Sequence, residues 1–112
     1  MAGWFDVSPE KELLPGQAKL IDVDNVMIAV LNIDGEYHAI EDVCTHDGSP
    51  MLGCGLKSEQ VIEGAEIICP RHGARFCVKT GNALTPPAYE PTVIFPVRVE
   101  NGIIQVIDDR WD

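Results

Sequence analysis

The sequence predicts an all-β fold, and three observations predict it. Glycine and proline recur at short intervals along the chain, with short runs rich in Val and Ile between them; this is the pattern of a sandwich or barrel of small antiparallel sheets. Long helical periodicity is absent from the sequence. Asp34-Gly35 and Asn101-Gly102 each separate two β-rich runs, and both dipeptides accept the positive φ that a type I′ hairpin turn requires.

Taken in order, strands are expected at residues 4–7, 18–23, 26–33 and 37–41, then at 66–68, 75–78, 94–99 and 103–107. Between the first two, Ser8 is placed to cap a short helical segment with Pro9 at its first position, and Pro15-Gly16 ends it as a mere connector. The strand at 26–33 holds the longest apolar stretch, six residues at 26–31. Asp34-Gly35 should turn it back into 37–41, and Asn101-Gly102 should join the last two strands. The middle of the chain, about residues 43–87, differs from this framework. It holds all four cysteines, two of the three histidines and many of the glycines, and reads as a site inserted into a β base.

The chain has 112 residues, of which 8 are basic and 18 acidic, a formal net charge of −10. A chain of this length supports one compact core, so a single domain spanning residues 1–112 is expected. The negative balance argues against nucleic acid as a partner. With 46% hydrophobic and 23% charged residues the composition is that of a globular chain rather than a disordered one. No basic residue precedes Lys11, so no export signal is read, and six apolar residues in a row fall far short of the roughly 20 that cross a bilayer. A cytoplasmic protein without a membrane partner is expected. In a reducing compartment the cysteines point to metal or redox chemistry rather than to a disulfide framework.

Two motifs carry that chemistry: Cys44-Thr45-His46-Asp47-Gly48 and Cys69-Pro70-Arg71-His72-Gly73, with the 22 residues 47–68 between His46 and Cys69. Each offers one thiolate and one imidazole on a turn after a β segment. A Cys2His2 set holds either a tetrahedral zinc or two irons. Structural zinc sites usually pair Cys with Cys and His with His, whereas here each loop brings one of each. Two facing loops of this kind can give both thiolates to one iron and both imidazoles to the other, the arrangement of a Rieske centre.

On these residues the chain resembles the Rieske family, specifically the small Rieske ferredoxins that feed bacterial ring-hydroxylating oxygenases. The resemblance covers nearly the whole chain, including the segment Phe76-Cys77-Val78-Lys79-Thr80-Gly81 after the second motif. It implies a fold of small antiparallel sheets, with a cluster-binding part at about 43–87 set in a β-sandwich base. It implies one 2Fe-2S cluster, with Cys44 and Cys69 on the inner iron and His46 and His72 on the outer iron at the tip of the protein. The function implied is that of a monomeric one-electron carrier between a flavin-dependent reductase and the terminal oxygenase of an aromatic-ring-hydroxylating system, not of an enzyme. The alternatives are a Rieske subunit of another reductase or of an iron-sulfur assembly pathway, and a structural zinc module.

The 22-residue spacer is several residues longer than is common in the family. Ser49 and Arg71 stand where high-potential members carry a disulfide-forming pair of cysteines, and Ala74 and Phe76 stand where those members carry a serine and a tyrosine. Hydrogen bonds to the cluster sulfurs favour the reduced form, so the missing hydroxyls imply a low potential. Arg71, between two ligands, is a candidate for tuning that potential. Among the remaining residues, Cys77 reads as a buried structural thiol, Cys54 as loop filler and His38 as a satisfied strand histidine. The Pro86-Pro87-Ala88 segment either is a plain rigid loop or covers one side of the cluster. Asp47, Glu63 and Glu66 are the acidic candidates for docking a basic partner surface. The tail bearing Asp108, Asp109 and Asp112 is expected to be solvated.

Overall fold

The computed structural model describes residues 3–45, 48, 50–52, 61–70, 73–86 and 88–109. Ten strands are present among them: β1 Phe5–Pro9, β2 Ala18–Val23, β3 Val26–Ile33, β4 Glu36–Glu41, β5 Ile62–Glu63, β6 Glu66–Ile68, β7 Arg75–Cys77, β8 Ile94–Phe95, β9 Val97–Glu100 and β10 Ile103–Val106. They form three antiparallel sheets with the orders β1-β10-β9, β2-β3-β4-β8 and β5-β6-β7. The all-β expectation holds.

Both expected hairpin turns form. Asp34 and Gly35 sit at φ 53° and 91°, Asn101 and Gly102 at 52° and 77°, the left-handed pair that a type I′ turn demands. Asp24 and Asn25 make a third such turn, at φ 51° and 70°, between β2 and β3. Sequence reading overlooked it because neither residue is glycine.

Three expectations need correction. The segment read as one strand over 94–99 is two strands in different sheets: β8 pairs with β4, while β9 pairs with β10. Pro96 lies between them, and a residue without an N–H is a natural place to leave one ladder for another. Ser8 does not cap a helix; its hydroxyl points to the Pro9 carbonyl at 3.2 Å, Pro9 is in β1, and only a 3-10 turn follows at Glu10–Glu12. Asp108, in the tail expected to be solvated, is buried, at 7% exposure; the short strand β5 was not foreseen.

The central sheet is buried on both faces, which explains the continuous apolar run of β3. Alternate residues of a strand point to opposite faces. Ile28 and Val30 pack with Val7, Ile104, Val106 and Phe95 in one core, toward the sheet of β1, β10 and β9. Ala29, Leu31 and Ile33 pack on the other side, in a core that also contains Ile67, Phe76, Cys44 and Cys69. The inserted part of the chain thus has no core of its own. It shares one with the central sheet, so the two cysteines are fixed by the same packing that holds the framework.

Candidate metal centre

The first cysteine loop leaves β4. Beyond Glu41, the backbone N–H of Asp42 donates to Met27 O at 2.9 Å, extending the pairing with β3. The Asp42 side chain is buried, and its Oδ1 accepts from the N–H groups of Met51 and Leu52 at 3.0 and 2.7 Å. A single carboxylate oxygen therefore ties the residue two before Cys44 to the far end of the loop. Within the loop, Gly48 N–H donates to Cys44 O at 2.8 Å, with Gly48 at φ 78°.

The second cysteine loop joins β6 to β7. Ile68 faces Arg75 across the ladder, and the next pair inward is closed by Cys69 N–H donating to Ala74 O at 2.7 Å. Gly73 N–H then donates to Cys69 O at 2.8 Å, with Gly73 at φ 74°. Each cysteine carbonyl thus accepts from a glycine four residues on, and that glycine is left-handed in both. Such a conformation costs an L side chain energy and glycine nothing. The sequence motifs differ in where the histidine falls, but the two turns have one size and one closure.

Both thiols are fully buried, at 0% exposure, and neither is in a disulfide. They lie in one apolar cluster with Met51, Val61, Ala74, Phe76 and Ala88. Two buried cysteines at equivalent positions of two matched turns, packed into one dry core, are a donor set that fits an iron or zinc thiolate site. Water is kept out by the apolar wall. His46, Asp47, Ser49, Cys54, Arg71, His72, Pro87 and Asp112 lie outside the described residues. The expectations placed on them stand there as expectations.

A strap formed by residues 82–86 and 88–93 runs past both loops. Leu84 N–H donates to Arg75 O at 2.7 Å, Arg75 N–H donates to Thr85 Oγ1 at 2.9 Å, and Thr45 Oγ1 donates to Glu90 O at 2.7 Å. Ala88 is buried in the cysteine-containing core. Pro87 lies outside the described residues, so both readings of the Pro86-Pro87-Ala88 segment stand as expectations. Asp42, Thr45 and Thr85 were missed in the sequence. The first follows Glu41 directly and stands two residues before Cys44, and nothing in the sequence tells its buried carboxylate apart from that of its acidic neighbour.

Of the acidic docking candidates, Glu63 and Glu66 are paired rather than free. Arg75 Nη1 pairs with Glu66 Oε1 at 3.2 Å and its Nη2 with Glu63 Oε2 at 3.5 Å. The hydrogen bond to Glu66, together with the nearby charge of Glu63, holds the guanidinium above its ordinary pKa. Cys77 is half-buried rather than buried. The Thr80 hydroxyl hydrogen-bonds its sulfur and, against the opposing effect of burial, lowers its pKa, with help from the backbone N–H groups of Lys79 and Thr80. His38 is not the satisfied histidine expected: its Nε2 is shielded from solvent without a hydrogen-bond partner, 3.6 Å from Glu36 Oε1.

Residues 3–101 match the Rieske [2Fe-2S] domain family. The chain is 41% identical over 96 residues, 86% of its length and 85% of the relative's, to the 3-phenylpropionate/cinnamic acid dioxygenase ferredoxin subunit of Escherichia coli K12. Among solved structures it is similar to a chain in the complex of reduced oxygenase and oxidised ferredoxin of carbazole 1,9a-dioxygenase, with TM-score 0.81, 31% identity, and 92% and 91% of the two chains covered. It is also similar to the carbazole 1,9a-dioxygenase ferredoxin of Nocardioides aromaticivorans IC177, with TM-score 0.77, 28% identity, and 92% and 95% covered. No helix among the described residues is long and apolar enough to cross a membrane. The matched loops, the buried thiol pair and the family match agree, and the chain belongs to the Rieske [2Fe-2S] family, whose domain carries one 2Fe-2S cluster.

Proposed function

We propose that the protein is the ferredoxin component of a ring-hydroxylating dioxygenase system, taking single electrons from a flavin-dependent reductase and delivering them to the terminal oxygenase. It is a carrier and performs no bond chemistry. The single observation that carries this reading is the pair of fully buried cysteines, Cys44 and Cys69, neither in a disulfide, at equivalent positions of two matched turns.

Cys44 and Cys69 would hold one iron of the cluster through their thiolates, and His46 and His72 would hold the other through their imidazoles. When bound, the cluster supplies a one-electron couple. The apolar side chains of Met51, Phe76 and Ala88 exclude water from the thiolate side. Ala74 and Phe76 are fully buried and neither carries a hydroxyl, so neither can donate an O–H to sulfur. This supports a potential toward the low end of the Rieske range of about −150 to +300 mV. A low-potential donor suits an oxygen-activating acceptor. Residues 1–112 act as one domain in the cytoplasm.

The test is reconstitution of the relay. The holo protein is mixed anaerobically with NADH and the reductase of the E. coli 3-phenylpropionate dioxygenase system, then with that system's terminal oxygenase. Stoichiometric bleaching of the protein, followed by its reoxidation as the oxygenase is reduced, is expected. A protein that is reduced but never reoxidised by the oxygenase would contradict the assignment.

A further inference from the structure

Resting on that reading, we infer that Tyr89 is the apolar anchor by which this chain docks on the terminal oxygenase. Its side chain is 80% exposed, the most open of the large hydrophobic residues described. An exposed aromatic ring is ordinary by itself. Its mounting sets this one apart. Ala88, on one side, is buried in the core that contains Cys44 and Cys69. Glu90, on the other, accepts the Thr45 hydroxyl through its backbone oxygen at 2.7 Å, and Thr45 directly follows Cys44. The backbone of Tyr89 is therefore held between the cysteine core and the first cysteine loop while its ring stands in solvent. Leu84, 47% exposed, is on the same strap, and Leu84 N–H is bonded to Arg75 O.

Charge adds little to that anchor: the acidic neighbour on the strap, Glu90, is a single exposed carboxylate. Glu63 and Glu66 are paired with Arg75, and exposed ion pairs contribute little to begin with. A chain of this fold forms a complex with an oxygenase that is stable enough to be solved. An interface of that kind draws most of its affinity from a few desolvated residues, with tyrosine enriched among them. Tyrosine also gives large contact area for the loss of only two side-chain torsions. An aromatic ring on a rigid mount beside the redox site meets both conditions. The matching feature of the oxygenase is an apolar recess beside its electron entry point.

The experiment compares the holo wild type with Tyr89→Ala and Tyr89→Phe. Each is titrated calorimetrically against the terminal oxygenase and, separately, against the reductase of the E. coli 3-phenylpropionate dioxygenase system. Iron, labile sulfide, EPR spectrum and midpoint potential are measured on the same samples. Tyr89→Ala should weaken oxygenase binding about tenfold, leaving metal content, spectrum and potential unchanged, and Tyr89→Phe should bind as the wild type does. Unchanged oxygenase affinity in Tyr89→Ala overturns the inference. So does a loss confined to the reductase, or a loss accompanied by a shifted potential, which would make the residue structural. A wild type that binds no oxygenase defeats the partner reading itself, an outcome distinct from a wild type that binds and an alanine variant that binds as tightly.

Discussion

The two cysteine loops share a closure and differ in what anchors it. The loop of Cys69 is the tip of a β-hairpin. Its cysteine is fixed by backbone pairing, with Ile68 opposite Arg75 and Cys69 N–H on Ala74 O. The loop of Cys44 leaves the end of β4 and has no returning strand beside it among the described residues. Its anchoring comes from side chains, with the Asp42 carboxylate gathering Met51 and Leu52 and the Thr45 hydroxyl holding the strap at Glu90. Backbone pairing tolerates side-chain change, whereas an anchor made of side chains does not. The first loop should therefore be the place where point substitutions loosen the site without touching a ligand.

The largest effect that sharpens this contrast belongs to Asp42→Ala. It removes two buried hydrogen bonds at once, a loss on the order of 3 kcal/mol, a large share of the 5–15 kcal/mol typical of a whole domain. Chemical denaturation of the holo protein should show it together with faster cluster loss, and Asp42→Asn, which keeps an acceptor oxygen, should recover most of both. An alanine variant as stable as the wild type would show that the loop closes by some other means.

A smaller effect is expected for Thr45→Val, which deletes one exposed hydrogen bond to Glu90 and should cost about 0.5–1 kcal/mol. Its diagnostic consequence is local: hydrogen exchange should accelerate in the strap and leave the β6-β7 hairpin untouched. Equal acceleration in both would break the distinction between the loops.

How much of this was legible in the sequence follows from the same contrast. Ligand chemistry imposes residue types at fixed spacings, so the cysteine and histidine motifs could be read directly, and so could the two glycine-bearing hairpin turns. The contacts of Asp42 join residues nine and ten positions apart with no periodic pattern. The Arg75 pairs with Glu66 and Glu63 span nine and twelve positions and depend on the register of three short strands. β5 itself is two residues long, too short for alternation to register. The shared core was hidden for another reason. A strand buried on both faces shows only an apolar run, and the run does not say what covers each face.

The central claim, that one cluster is held by one cysteine and one histidine from each loop, is tested most directly by iron and acid-labile sulfide per chain in the wild type and in four single variants: Cys44→Ala, His46→Ala, Cys69→Ala and His72→Ala. The account predicts two irons and two sulfides per wild-type chain, with the native cluster lost in every one of the four. Full stoichiometry in any single variant, or zinc in place of iron in the wild type, would contradict it.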